Sequence, residues 1–175
     1  MTVNGKPFKP FIGTDEIAHI VDRLALQIGN DYAGRDLVVC PILTGAYMFA
    51  ADLLRRIPIP CEVSFVRYSS YSGMSSTGEV KSLLPFTESI KGRDILIVED
   101  VIDTGLSMQA MLEAARRCAP ASVEVCTLLF KPHAFRGGFN VQYVGREIGN
   151  EFIVGYGMDY DEKGRNLPEV YVIDQ

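Results

Sequence analysis

The 175-residue chain is 47% hydrophobic with a mean hydropathy of +0.11, enough apolar material for one domain with a proper core and too little length for two typical ones. A net charge of −5 and a pI near 5.1 speak against a nucleic-acid or anionic-membrane partner, which would need a basic face, so any phosphate must be held by a local device. The N-terminal segment has no apolar signal core, no run reaches transmembrane length, and the four cysteines lack C-x-x-C spacing, which predicts a soluble, cytoplasmic chain whose thiols are reduced core residues.

Thr14 can cap a helix with Asp15 and Glu16 in its first turn, and Ile17, Ile20, Val21, Leu24, Ala25 and Ile28 form one apolar stripe before Gly29. Residues 37–42 are a continuous apolar run, as expected of a strand covered on both faces, and residues 45–56 are apolar almost all round. Further strands are predicted at 61–68, 94–98 and 123–130, with a helix begun by Met108, Met111, Leu112, Ala115 and Cys118 at helical spacing. Strands alternating with helices predict an α/β fold with a mainly parallel sheet and right-handed crossovers. The tail, 141–172, has short β-like pieces among turn residues and reads as a small hood or an antiparallel edge. Residues 69–79 are rich in Ser and Gly without apolar periodicity, which on composition alone is a mobile surface loop.

Residues 95–108 carry the most chemistry. An apolar strand runs into Glu99 and Asp100, then into Asp103-Thr104-Gly105 and Ser107 at the start of a helix. Backbone N–H groups at a helix start bear partial positive charge, and Gly105 lets the chain approach an anion closely. Asp103 or Thr104 could simply cap the helix, but a cap does not call for two adjacent carboxylates at a strand end, which suit hydroxyl groups or a hard cation bound through oxygen. Lys131 ends another apolar strand, where a lysine can equally snorkel to solvent. Phe152 lies in an apolar run that would also suit a plain core residue. His19 and His133 have no partner pattern.

The run 98–105 resembles the phosphoribosyl diphosphate (PRPP) signature of type I phosphoribosyltransferases, and within them the chain is most similar to the hypoxanthine and hypoxanthine-guanine enzymes. Leu43-Thr44-Gly45, residues 67–80, Phe130-Lys131 and residues 152–160 match in the same order, so the resemblance covers about 37–165. It implies a type I phosphoribosyltransferase fold, read here as a single domain over 1–175, and transfer of a phosphoribosyl group from PRPP to hypoxanthine, and to guanine as well, with release of diphosphate. By the same resemblance Glu99 and Asp100 bind the ribose hydroxyls and metal. Asp103, Thr104, Gly105, Leu106 and Ser107 hold the 5-phosphate, and Asp103 is the base for the purine ring proton. Leu43, Thr44, Gly45 and Arg165 contact diphosphate, with a non-proline cis peptide implied in that loop. Lys131 donates to the purine 6-oxygen, Phe152 stacks on the base, Ile153 offers its backbone to the base edge, and Asp159 reaches the base and a metal. The expected cofactor is Mg²⁺. Residues 69–81 become a lid carrying the Ser70-Tyr71 pair, and a homodimer or homotetramer is implied.

The chain departs from many relatives in one respect: its diphosphate loop carries Thr44 where they have a basic residue, so that loop's hold on diphosphate rests on a hydroxyl and a backbone N–H. A xanthine-preferring enzyme is the nearest alternative reading. A non-catalytic nucleotide-binding regulator of the same fold would need a basic surface and could dispense with Asp103, Lys131 and Asp159.

Overall fold

The computed structural model describes residues 1–70 and 80–174. In chain order the elements are β1 (Thr2–Val3), β2 (Lys6–Ile12), α1 (Thr14–Asp31), β3 (Leu37–Leu43), α2 (Tyr47–Leu54), β4 (Glu62–Val63), β5 (Val66–Ser70) and β6 (Val80–Leu84). A 3₁₀ turn (Glu88–Ile90) precedes β7 (Asp94–Ile102), α3 (Leu106–Arg117), β8 (Ser122–Phe130), β9 (Tyr143–Glu147), β10 (Ile153–Val154) and β11 (Val170–Ile173). The main sheet has the order β6-β5-β3-β7-β8-β9, with β4 also on β3. All its pairings are parallel except β5 with β6. A second, antiparallel sheet, β1-β2-β11-β10, forms the hood.

Strand periodicity assigns the two faces of the main sheet. Val39, Leu96, Val98 and Leu128 pack with the apolar stripe of α1 and with Phe49, Ala50 and Leu53 of α2. Val38, Cys40, Ile95, Ile97 and Val125 point the other way, onto Met108, Met111, Leu112 and Ala115 of α3. Both faces are covered, which is why β3 and β7 read as unbroken apolar runs. Cys40 and Cys126 are fully buried, and burial pushes the Cys40 thiol up to about 12.

Several expectations need correction. Gly13, not Thr14, caps α1: it is extended (φ −79°, ψ 167°), and its carbonyl accepts the Ile17 N–H at 3.0 Å, so Thr14 is the first helical residue. The strand expected over 61–68 is two pieces, β4 and β5, which pair with different parts of β3. β7 continues to Ile102, so Glu99 and Asp100 lie within the strand and not beyond it. In the tail, β9 adds parallel to β8 instead of forming an antiparallel edge; the segment 131–142 is long enough for the crossover that parallel pairing requires. The hood also takes up the β1–β2 hairpin, where Pro7 and Pro10 mask a strand that buries Phe8 and Ile12.

Candidate active site

Ligands of open α/β sheets bind beyond the carboxyl ends of the strands, and a cleft lies there. A cavity of about 230 Å³ is lined by Glu99, Asp100 and the turn 103–105 with Ser107 and Met108. Gly105 makes the turn possible: its φ of 78° is left-handed, and a Cβ there would stand 2.5 Å from the ring of Phe135. The chain then enters α3 with the first-turn N–H groups lacking helical carbonyl partners, a small cradle of donors that could hold an anion a few residues after the two acids.

Asp100 is 8% exposed and shares the face of β7 that carries Leu96 and Val98, towards the loop between β3 and α2. A Cβ at Gly45 would lie 2.2 Å from Asp100 Oδ2, so only glycine lets that loop meet the carboxylate. Gly157 completes the stack: with φ 101°, its own Cβ would fall 2.1 Å from the Gly45 carbonyl oxygen. The peptide joining Leu43 to Thr44 is cis, as the resemblance implies.

Neither acid has an ion-pair partner among the described residues. The Asp100 N–H donates to Glu99 Oε1 at 3.1 Å, and the Val101 N–H donates to Asp100 Oδ1 at 2.8 Å. Burial pushes the Glu99 carboxyl well above the ordinary range, and the neighbouring Asp100 charge adds to the rise. Burial also raises Asp100, against the hydrogen bonds with Glu99 and Val101 and the positive charge of Arg165. Two desolvated acids side by side favour a ligand that brings hydroxyl donors or positive charge.

On one flank, Lys131 Nζ donates to Asp103 Oδ2 at 3.0 Å. Its side chain is 11% exposed against 51% for Asp103, so this lysine does not snorkel to solvent. On the other flank, Arg165 Nη2 lies 2.6 Å from Asp159 Oδ1, and Arg165 Nη1 donates to the Gly157 carbonyl at 2.8 Å. The Asp159 Oδ2 atom accepts the Glu162 N–H at 2.9 Å. Both oxygens of Asp159 are therefore engaged within the protein.

Acids, cradle, the 43–45 loop, Lys131 and Arg165 thus form one contiguous set. The side chains of three expected residues face solvent or the hood. Leu106 is 62% exposed and contributes its N–H, 3.5 Å from Thr104 Oγ1, while its side chain does not line the cavity. Phe152 and Ile153 belong to the hood, with Phe152 45% exposed and edge-on to Tyr160 at 5.5 Å. Of the expected lid pair, Ser70 ends β5 in register with Val80, and Tyr71 lies outside the described residues. Gly157 and Tyr47, whose hydroxyl donates to the Arg165 carbonyl at 3.3 Å, were not foreseen. The only sequence signal for Gly157 is the Gly155-Tyr156-Gly157 spacing.

Comparison with known proteins agrees with this architecture. Residues 13–161 match the model of the phosphoribosyl transferase domain. A hypoxanthine-guanine phosphoribosyltransferase of Mycobacterium tuberculosis is 42% identical over 167 residues, covering 91% of this chain and 83% of the relative. One from Staphylococcus aureus is 40% identical over 157 residues, covering 89% and 88%. The crystal structure of a hypoxanthine-guanine phosphoribosyltransferase from Bacillus anthracis superposes with a TM-score of 0.89 at 36% identity, covering 97% of this chain and 99% of that one. The mainly parallel sheet flanked by helices is the type I phosphoribosyltransferase fold, and the chain belongs to the phosphoribosyltransferase family.

Proposed function

We propose that the chain is a purine-salvage enzyme that transfers the 5-phosphoribosyl group of PRPP to hypoxanthine, and to guanine as well, releasing diphosphate. One observation carries this reading: Glu99 and the buried Asp100 line one cavity with the 103–107 turn, and Lys131 donates to Asp103 of that turn. The cradle at 103–107 takes the 5-phosphate, and the two acids take the ribose 2- and 3-hydroxyls. As the C1–O bond to diphosphate breaks, positive charge grows on the ribose, and the adjacent carboxylates stabilise it from fixed positions. A ring nitrogen of the purine forms the new bond to C1, and Asp103 accepts the ring proton. Lys131 donates to the 6-oxygen, the feature that separates oxopurines from adenine. Arg165 and the 43–45 loop face the diphosphate.

The two acids also fit a divalent cation, because both are desolvated carboxylates without an ion-pair partner among the described residues. Glu99 and Asp100 would hold Mg²⁺, whose positive charge would offset that of the leaving diphosphate. Asp159 fits that task less readily, since Arg165 and the Glu162 N–H hold its oxygens. Action of the whole chain as one domain, a cytoplasmic location, and assembly as a dimer or tetramer belong to the same proposal and rest on the resemblance. No helix among the described residues is long and apolar enough to cross a membrane.

The test is a panel of hypoxanthine, guanine, xanthine and adenine with PRPP and Mg²⁺, scored by nucleotide formed. Product from hypoxanthine and guanine is expected. Preference for xanthine would move the assignment to the neighbouring specificity, and no product from any base would overturn it.

A further inference from the structure

The segment between β8 and β9 folds back onto the turn 103–105. Its hydrogen bonds grip that turn at both ends. The Lys131 N–H donates to the Ile102 carbonyl at 3.0 Å and the Arg136 N–H to the Thr104 carbonyl at 2.9 Å, while the Phe135 N–H closes the segment on the Lys131 carbonyl at 3.1 Å. At the centre stands the ring of Phe135. A Cβ at Gly105 would lie 2.5 Å from Phe135 Cε2 and 2.9 Å from Cδ2, so the ring fills the space a side chain at Gly105 would take. The ring is itself fixed, edge-on to Phe130 at 5.2 Å and to Phe139 at 5.1 Å. Gly137 lets the backbone wrap both rings, since its Cβ would meet Phe139 at 2.5 Å and Phe135 at 2.7 Å.

We infer that Phe135 is a positioning residue for the 5-phosphate, acting through the backbone of Gly105. A glycine at positive φ has a wide range of conformations open to it, and the direction of the cradle's N–H groups depends on which one it holds. The ring limits Gly105 to one of them, and the hydrogen bonds from 131 and 136 lock the peptides on either side. The same segment begins with Lys131, so the group that meets the base and the groups that meet the phosphate hang on one hydrogen-bonded unit. This inference rests on the reading of 103–107 as the phosphate cradle. Nothing in the sequence pattern marks Phe135, which as an aromatic near an apolar strand would pass for ordinary core.

A scaffold role and a positioning role differ in what they move. Loss of scaffold lowers Tm and the fraction of active protein, hence apparent kcat, whereas loss of positioning weakens an interaction with one substrate and appears in its KM. The experiment compares Phe135→Ala, Phe135→Leu and Phe135→Tyr in the full chain. Steady-state kinetics would be measured in both substrates, together with calorimetric binding of ribose 5-phosphate, which carries the phosphate and neither base nor diphosphate. The expected result for Phe135→Ala is a rise of about ten-fold in KM for PRPP, short of the roughly 10²-fold that an ångström of misplacement can cost. Ribose 5-phosphate affinity should fall by a similar factor, with KM for hypoxanthine little changed, and Phe135→Tyr, which keeps the ring, should restore both. If Phe135→Ala does not fold, Phe135→Leu carries the same expectation with a smaller factor. Ribose 5-phosphate bound as tightly by the folded variants as by the wild type, or a fall in kcat that tracks Tm at constant KM, would overturn the inference. A wild type that binds ribose 5-phosphate but forms no nucleotide would overturn the proposed reaction, while weakened binding in Phe135→Ala would still support the positioning role.

Discussion

Replacing Gly157 by alanine tests whether the hood and the 43–45 loop are built to touch. A Cβ at 157 would lie 2.1 Å from the Gly45 carbonyl oxygen, more than an ångström inside the roughly 3.5 Å of ordinary contact. Because the atom it meets is backbone, no rotamer change can relieve the clash. The residue also has φ 101°, where an L side chain is strained by about 1–2 kcal/mol. Overpacking adds about 1–3 kcal/mol, so the variant should lose about 2–5 kcal/mol and, for a chain of this size, roughly 4–20 °C in Tm. Gly92→Ala isolates the first contribution, since Gly92 has φ 72° with nothing within 4 Å of its Cβ; it should lose only about 1–2 kcal/mol. Urea unfolding midpoints at constant slope give both values, and KM for PRPP separates them functionally. Gly157→Ala should raise KM by pushing the Gly45 loop off Asp100, and Gly92→Ala should leave it unchanged. Equal midpoints and equal KM in the two variants would refute the close-approach argument.

Three further outcomes are expected. Asp103→Asn should lower kcat by about 10²–10⁴ at saturating PRPP, the usual cost of losing a general base, and near-wild-type turnover would remove Asp103 from that role. Lys131→Met should narrow the preference for hypoxanthine over adenine by about 1–3 kcal/mol, the cost of leaving a buried donor unpaired; unchanged discrimination in a binding assay would show that the lysine does not read the 6-oxygen. Away from the site, the hydrogen bond from Arg35, at 2.8 Å, holds the Asp94 carboxyl below its usual range against the opposing effect of burial, with Ser122 assisting. A carboxylate with a lowered folded-state pKa stabilises fully above its unfolded value near about pH 4 and loses that contribution as pH falls through the folded value. Asp94→Asn should therefore melt earlier than the wild type at pH 7, with the gap closing below about pH 4; a gap independent of pH would mean that packing, and not ionisation, is at stake.

The elements best legible in the sequence are those whose signal is local and whose surroundings are uniform. The α1 stripe and the apolar runs of β3, β7 and β8 show at once because both faces of the sheet are covered, so positions 37–42, 95–98 and 125–129 are all buried. Legibility fails where one strand serves two neighbours. Nothing in the composition of 61–68 marks the break between β4 and β5, because it reflects which stretch of β3 each piece meets. The β1–β2 hairpin is hidden for a different reason. Its prolines argue against a strand in isolation, and its pairing partner, β11, comes at the far end of the chain.

The same distinction divides the site. Glu99, Asp100 and the 103–107 turn are contiguous, so the strand-turn-helix pattern exposes them, although it does not show that β7 carries both acids into the sheet. Their desolvation follows from that placement: the acids stand within the packed strand, with Gly45 closing on Asp100 and Gly157 closing on Gly45 from another part of the chain. Sequence spacing cannot register such an approach, because the requirement at Gly157 is set by a carbonyl in the 43–45 loop and not by any neighbour along the chain. Lys131 illustrates the opposite case. Its position at the end of an apolar strand is ambiguous between solvent and site, and what decides it is the hydrogen bond from its own N–H to the Ile102 carbonyl, which aligns β8 with β7 so that its amine meets Asp103. A parallel sheet brings the ends of successive strands into one row, so residues as far apart as 45, 103 and 131 can be joined by register alone. Residues 157 and 165 need the hood to fold back, and those are the positions at which one chain read by itself says least.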